Sequence, residues 1–367
     1  MQGKDSIHAS DGKAGRTPSN VVYFSSFKKA KNMSECLNVL LQRTDKYFSG
    51  FKKGSFVGIK MTVGDEGSTG YIRPDIVRVV VENLKARGLK PFVFDTNVIY
   101  TGRRQNAVDH LNLAYIKGFT PDNLGCPYII ADSVFGTDSR VIEVDFRNIK
   151  EIRVPSLVGV LEDLVVLSHV TGHIMSGFAG AIKNVAMGMA SRAGKQVQHS
   201  SVKPIINADN CTLCGCCMVL CPSSAISEVK GKALISSQNC VGCGECLSAC
   251  KFDAVNVNWH EDMDVFVERM SEYASGILSR VKRKAFINFA ADITEECDCI
   301  AGDDPRIAED TGILASKDIL ALDKACYDML TLKNDIFSRD GKKVHLHQLK
   351  YAAEIGLGSL DYMLVEV

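Results

Sequence analysis

The sequence predicts an α/β protein, a mostly parallel sheet with helices on both faces, into which a small Cys-dense α+β module is inserted. Three observations carry this. From residue 20 onward, short apolar runs alternate with stretches of helical periodicity, the pattern of strands joined by crossover helices. Nine of the 14 cysteines fall between Cys211 and Cys250, and the strand–helix alternation resumes beyond them. Lys+Arg and Asp+Glu balance at 43 each, so nothing pulls the whole chain toward nucleic acid or an anionic membrane surface.

The elements follow in order. Residues 1–19 are polar, rich in Gly, Ser and Lys, and lack the apolar core of a secretory signal, so a disordered tail is expected there. Residues 21–25 form an apolar run, 32–47 carry helical periodicity, and 56–63 read as a buried strand. Residues 74–87 read as a helix with Pro74 in its first turn. Residues 91–95, 128–132 and 164–169 continue the strands. The most apolar stretch, 154–170, is broken by Glu162 and Asp163, so no membrane span is expected. Ligands in parallel sheets sit beyond the carboxyl ends of the strands, which directs attention to Asp95-Thr96-Asn97 and to the segment after His169. After the Cys-dense stretch, 286–293 read as a strand, 314–317 as a turn and 318–330 as a helix. The expected units are therefore 20–204, a module at 205–258, and a continuation of the first unit at 259–367.

The module carries the most specific pattern. Cys211-Thr-Leu-Cys214-Gly-Cys216-Cys217-Met-Val-Leu-Cys221-Pro222 is C-x2-C-x2-C-x3-C-P. Cys240-Val-Gly-Cys243-Gly-Glu-Cys246-Leu-Ser-Ala-Cys250 repeats it, with Lys251 in place of proline. This doubled run is the ligand pattern of two-cluster bacterial ferredoxins, where the fourth thiolate of each run serves the other cluster. One [4Fe–4S] cluster is expected on Cys211, Cys214, Cys217 and Cys250, the second on Cys240, Cys243, Cys246 and Cys221. Gly215, Gly242 and Gly244 permit the tight turns. A zinc site would need only four ligands. Cys216 is supernumerary and expected to point away from the cluster. Clustered cysteines without an export signal indicate metal binding in a reducing compartment, hence the cytoplasm.

A second pattern begins at His169 and runs through His173, Gly177, Gly180, Lys183 and Asn184 to Lys195 and His199. Gly177 and Gly180 allow close backbone approach, and Lys183 adds a positive charge near a helix start, so an anion cradle is one reading. His173 and His199 suit metal ligation or proton transfer. The competing reading is two hydrogen-bonded core histidines and a solvated lysine. Weaker signals are the acidic Cys297-x-Cys299, read as structural or at the edge of a site, the pocket candidates Asp292 and Asp318, His345-x-His347, and Arg103-Arg104, which suit an anion or a solvated turn. Cys36, Cys126 and Cys326 fit core positions. No complete dinucleotide fingerprint is visible.

These residues carry two resemblances. Gly70-Tyr-Ile-Arg-Pro74, Asn106-Ala-Val-Asp-His110, Gly125-Cys-Pro127, the stretch from Gly172 to Lys195 and Asn288-Phe-Ala-Ala-Asp-Ile-Thr-Glu-Glu-Cys-Asp-Cys299 resemble the iron–sulphur centre protein group, domain of unknown function 362. So do Gly312-Ile-Leu-Ala-Ser-Lys-Asp318 and Glu354-Ile-Gly-Leu-Gly-Ser359. This resemblance implies an α/β domain with a built-in ferredoxin. More distantly, His173-x9-Lys183 with His199 is similar to a segment of the nickel-pincer lactate racemase family. That similarity implies a cofactor held by Lys183, with Gly177, Gly180 and Asn184 around it, a metal on His199, proton transfer by His173, and His110 as a second acid/base.

The function expected is an iron–sulphur oxidoreductase that relays single electrons through two [4Fe–4S] clusters to a pocket near His173, Lys183 and His199, where an additional metal or organic cofactor could sit. Its partners would be a redox protein or a small-molecule substrate. The alternatives are a non-enzymatic electron carrier or assembly factor, and a racemase-like isomerase with a nickel-type cofactor.

Overall fold

The computed structural model describes residues 20–100, 102–199, 204–221, 223–240, 246, 249–250, 252, 254–256, 263–299, 302–338 and 343–367. The expected tail at 1–19 lies outside them, as do Gly242, Cys243 and Gly244.

Eight strands build the main sheet: β1 (Val21–Ser26), β2 (Phe56–Lys60), β3 (Lys90–Asp95), β4 (Tyr128–Ile130), β5 (Asp163–His169), β6 (Arg283–Ala290), β7 (Gly312–Ser316) and β8 (Met363–Glu366). Their order is β8-β1-β7-β6-β5-β2-β3-β4. All neighbours are parallel except β7, which runs antiparallel to both β1 and β6. Helices α1 (Met33–Arg43), α2 (Pro74–Ala86) and α3 (Ala107–Ile116) cover one face. Helices α4 (Ala181–Gly188), α6 (Met263–Leu278), α7 (Ile319–Leu330) and α8 (Val344–Glu354) cover the other. A further helix, α5 (Arg192–Gln198), precedes the insert.

Strand alternation sorts the core into two layers. Val165, Leu167 and Ile287 join α1 and α2, whereas Leu164, Val166 and Phe286 join α4 and α6. A strand buried on both faces has no polar side, which is why these runs read as continuously apolar.

Two sequence expectations are corrected. The helix expected over 32–47 ends at Arg43 and continues only as a 3-10 turn at Asp45–Tyr47. The turn expected at 314–317 belongs largely to β7, an interior strand. Ile313, Leu314 and Ala315 are buried between β1 and β6, and pairing on both sides overrides the turn-like composition. Gly312 permits this closure, since a Cβ there would lie 2.2 Å from the Ser25 carbonyl oxygen.

The Cys-dense segment interrupts the chain between α5 and α6. Ile205–Ile206 pairs antiparallel with Val255–Asn256, bringing its two ends together, and Ile226–Val229 forms a hairpin with Lys232–Ile235. Ile226, Ala233, Cys246 and Val255 form its small core, against which Cys211, Cys217, Cys221 and Cys250 pack. Among the described residues, no helix is long and apolar enough to cross a membrane.

Candidate active site

From β2 the chain moves outward to β3 and β4, while β5 lies on the other side of β2 and leads to β6. The switch in direction therefore falls between β2 and β5, and a parallel sheet opens a crevice at such a point. A cavity of about 990 Å³ occupies that place. It lies beyond Lys60 of β2, Asp95 of β3 and Ser168–His169 of β5, and the hairpin Thr171–His173/Gly177–Ala179 and helix α4 complete its wall.

The floor is a buried charge network. Lys60 Nζ lies 3.1 Å from Asp95 Oδ1 and donates to Asn184 Oδ1 at 2.7 Å. Asn184 in turn donates to the Leu167 carbonyl at 2.8 Å and to Ser168 Oγ at 3.0 Å, tying α4 to β5. Arg104 pairs with Asp65 at 3.2 Å and donates to Thr62 Oγ1 at 2.7 Å. Its guanidinium also stands 3.8 Å from Asp95 Oδ2. Burial pushes the Asp95 carboxyl up, but the Lys60 and Arg104 charges outweigh it and lower its pKa. Lys195 Nζ donates to Thr96 Oγ1 and to the Ala190 carbonyl, at 2.5 and 2.7 Å. Burial lowers its pKa to about 8.

The opposite wall carries the histidines and sulphur. His169 Nε2 meets the Ala291 carbonyl and Nδ1 meets Asp298 Oδ2, both at 2.7 Å. A carbonyl only accepts, and Asp298 is held in its ionised form, so both ring nitrogens donate and His169 is an imidazolium. Burial opposes that charge, yet Asp298 overrides it and the His169 pKa is raised. His173 Nδ1 accepts from the backbone N–H of Met175 at 3.2 Å and of Ser176 at 3.1 Å. Its proton therefore sits on Nε2. Lys183 Nζ donates to Cys297 Sγ at 2.9 Å and to Cys299 Sγ at 3.5 Å, and burial lowers its pKa to about 7. His199 stacks on Phe266 at 4.7 Å between ring centroids.

His173, Lys183, Asn184, Gly180 and His199 thus line one cavity, with Arg103, Arg104, Cys297 and Cys299. Other sequence candidates sit elsewhere. His110 is buried behind Asp95, its Nε2 3.9 Å from the carboxylate, and burial brings its pKa down to about 3. Gly177 packs against α8, where a Cβ would lie 2.8 Å from His345 Nδ1. The α4 start, read as an anion cradle, already holds an anion of its own. Asp323 accepts from the N–H groups of Ala181 and Ile182 at 2.8 and 2.9 Å, and Gly180 leaves room for that carboxylate. Asp318 caps α7, and Asp292 pairs with Arg306, so neither reaches the cavity. Lys60 and Asp298 carried no individual signal in the sequence, whereas Arg104 stood in Arg103-Arg104, His169 and Lys195 in the pattern that ends at His199, and Asp95 at a flagged strand end.

In the insert, Cys211, Cys214, Cys217 and Cys250 line one small pocket. The Cys217 thiol is pushed up by burial and then by Cys250, Cys214 and Cys211. A single zinc with Zn–S of about 2.3 Å needs its sulphurs roughly 3.8 Å apart. Among the described residues, the metal-sized group is instead His173 with Cys297 and Cys299, whose donor atoms lie within 4.8 Å of one another. The four cysteines of the small pocket do not draw together into such a group. Cys221 and Cys250, the last cysteines of the two runs, accept equivalent N–H···S bonds from Ala225 at 3.2 Å and Ala254 at 3.3 Å. Cys216 is exposed, and its N–H and thiol hydrogen-bond Cys214 and lower that thiol's pKa.

No curated protein matches the chain. Among solved structures, the lactate racemase apoprotein from Thermoanaerobacterium thermosaccharolyticum aligns with a TM-score of 0.38 and 11% identity, over 76% of this chain and 51% of that one. The chain thus spans about half the length of that structure. The model of one family, "Domain of unknown function (DUF362)", matches residues 57–328, most of the chain, and the protein belongs to that family.

Proposed function

We propose that this protein is an iron–sulphur oxidoreductase whose Cys-dense module passes single electrons to an organic substrate in the cavity at the carboxyl end of the sheet. The observation that carries the reading is where the module joins the chain. His199, which closes α5 before the insert, and Met263 and Phe266, in the first turn of α6 after it, all line the cavity. The five peptide links from His199 to Pro204 span at most roughly 18 Å, so the module is covalently held close to the cavity wall.

Bound [4Fe–4S] clusters supply one-electron chemistry. Cys211, Cys214, Cys217 and Cys250 would hold one, and Cys221, Cys240, Cys243 and Cys246 the other. The N–H groups of Ala225 and Ala254, donating to Cys221 and Cys250, would stabilise thiolate charge. In the cavity, Lys183 and Lys195, with pKa values near 7 and 8, are proton donors matched to neutral pH, and His173 offers its Nε2 proton. A carrier or assembly factor needs no such cavity, which favours the enzyme.

One observation supports a second reading. The buried Lys183 amine shares the cavity with His173 and His199, as a racemase-like isomerase with a tethered nickel-type cofactor requires.

The test is a count of iron, sulphide and nickel on anaerobically purified protein, with the mass of the Lys183 peptide. About eight irons and an unmodified Lys183 are expected. Lys183→Ala should keep that iron and its reducibility while losing substrate turnover. Nickel or added mass on Lys183 selects the isomerase, and zinc in place of iron overturns the iron–sulphur reading.

A further inference from the structure

Cys297 and Cys299 have no part in the relay described above, yet the fold holds them with care. Their loop follows β6. Gly172 N–H donates to the Thr294 carbonyl at 2.9 Å, and the Thr294 hydroxyl donates to the Glu296 carbonyl at 2.6 Å. Between the cysteines, Asp298 is clamped twice. Its carbonyl accepts from Asp65 N–H at 2.7 Å, and its carboxylate is bound by His169 at 2.7 Å. With Asp298 pinned between them, the two cysteines line the cavity, where they are joined as a disulfide.

One histidine and two cysteines are also a zinc-type donor set. Two neighbours argue against a metal. His173 Nδ1 is taken by two backbone N–H groups and Nε2 carries the proton, so ligation through either nitrogen breaks an existing arrangement. Lys183 Nζ, 2.9 Å from Cys297 Sγ, puts an ammonium where a divalent cation would be repelled. The same two groups suit a sulphur that gains negative charge, because a nearby ammonium stabilises a thiolate.

We propose that Cys297 and Cys299 form a two-electron dithiol–disulfide couple that collects electrons arriving singly and holds them as a pair for a two-electron organic acceptor in the cavity. Only the identity of the donor rests on the iron–sulphur reading. In the charging step the S–S bond breaks, Cys299 takes one proton from solvent at the cavity mouth to form an S–H bond, and Cys297 remains a thiolate paired with the Lys183 ammonium, so the pair takes up two electrons and one proton. The electrons come from two one-electron reductants of the reduced iron–sulphur class, each oxidised by one.

The test equilibrates the full-length protein anaerobically in buffers of graded reduced-to-oxidised dithiothreitol, quenches in acid, alkylates free thiols and weighs the peptide containing both cysteines. The expected result is one transition from zero to two alkyl groups with iron content unchanged. Lys183→Met should shift the dithiol-to-disulfide ratio about tenfold toward disulfide at a given buffer, the equivalent of one unit in thiolate pKa. A pair that stays fully alkylated, or fully blocked, in every buffer overturns the couple. So does a metal present in the wild type and lost from Cys299→Ser. Low iron with a titrating pair leaves the couple standing and removes the proposed donor. Eight irons with a pair that does not titrate does the reverse.

Discussion

Asp95 is the residue on which the cavity floor depends. Its carboxylate is almost fully buried and faces Lys60 at 3.1 Å and Arg104 at 3.8 Å. Removing one member of a buried ion pair strands the other charge, at a cost of about 3–5 kcal/mol. Asp95→Asn should therefore lower unfolding stability by about that amount in urea titrations. His169 supplies a pH signature. Its folded pKa is raised, so its contribution is complete below the ordinary imidazole value of about 6.5 and lost as pH rises through the folded value. Stability should fall on the alkaline side of about pH 6.5, and His169→Gln should flatten that limb. A gradient equal in wild type and variant would show that the imidazolium does not contribute. Lys183 offers a chemical signature. With a pKa of about 7, roughly half of its amine is free at neutral pH, against under a thousandth for a surface lysine. A small acylating reagent at pH 7 should label the Lys183 peptide ahead of the exposed lysines, as read by mass spectrometry.

At the scale of elements, the fold positions its site through close approaches of helices to the sheet and to each other. Helix α4 starts on Asp323 of α7, which accepts from Ala181, Ile182 and Asn288. Asp323→Ala leaves these buried donors unsatisfied and should cost about 2–4 kcal/mol, with loss of order around Lys183 visible in hydrogen exchange of α4. Helix α5 runs against the strand Glu151–Val154, where a Cβ on Gly194 would lie 2.2 Å from the Arg153 carbonyl. Gly194→Ala should displace α5 and with it Lys195 and His199. Strand and helix identities were largely legible in the sequence, because a doubly covered parallel sheet writes its strands as apolar runs. β7 was not. Leu314-Ala315-Ser316-Lys317 resembles a turn until both flanking strands are present to pair with it. The α4 cap was equally hidden, since the acceptor, Asp323, stands 142 residues beyond Ala181, in α7.

For the whole molecule, the insert and the cavity are coupled by chain connectivity: one ends where the other begins. In the crossed ligand scheme each cluster draws its fourth thiolate from the other run. Cys250→Ser should therefore remove about half of the iron and spare the cluster of the second run, and Cys221→Ser should do the opposite. Loss of the cluster of its own run in each case would reject the crossed scheme.

The sequence by itself determined the doubly covered α/β architecture, the eight-cysteine pattern and the Gly-, His- and Lys-bearing stretch from His173 to His199. These are local signals, carried by spacing and periodicity within short windows. Tertiary structure alone decided that Lys60, Asp95 and Arg104 form one charged floor, that His110 stands behind it, and that Asp323 occupies the α4 start. It also brought Cys297 and Cys299 to Lys183. Each of these pairs residues far apart in the chain, and only the packing of strand ends around the switch point brings such side chains within bonding distance.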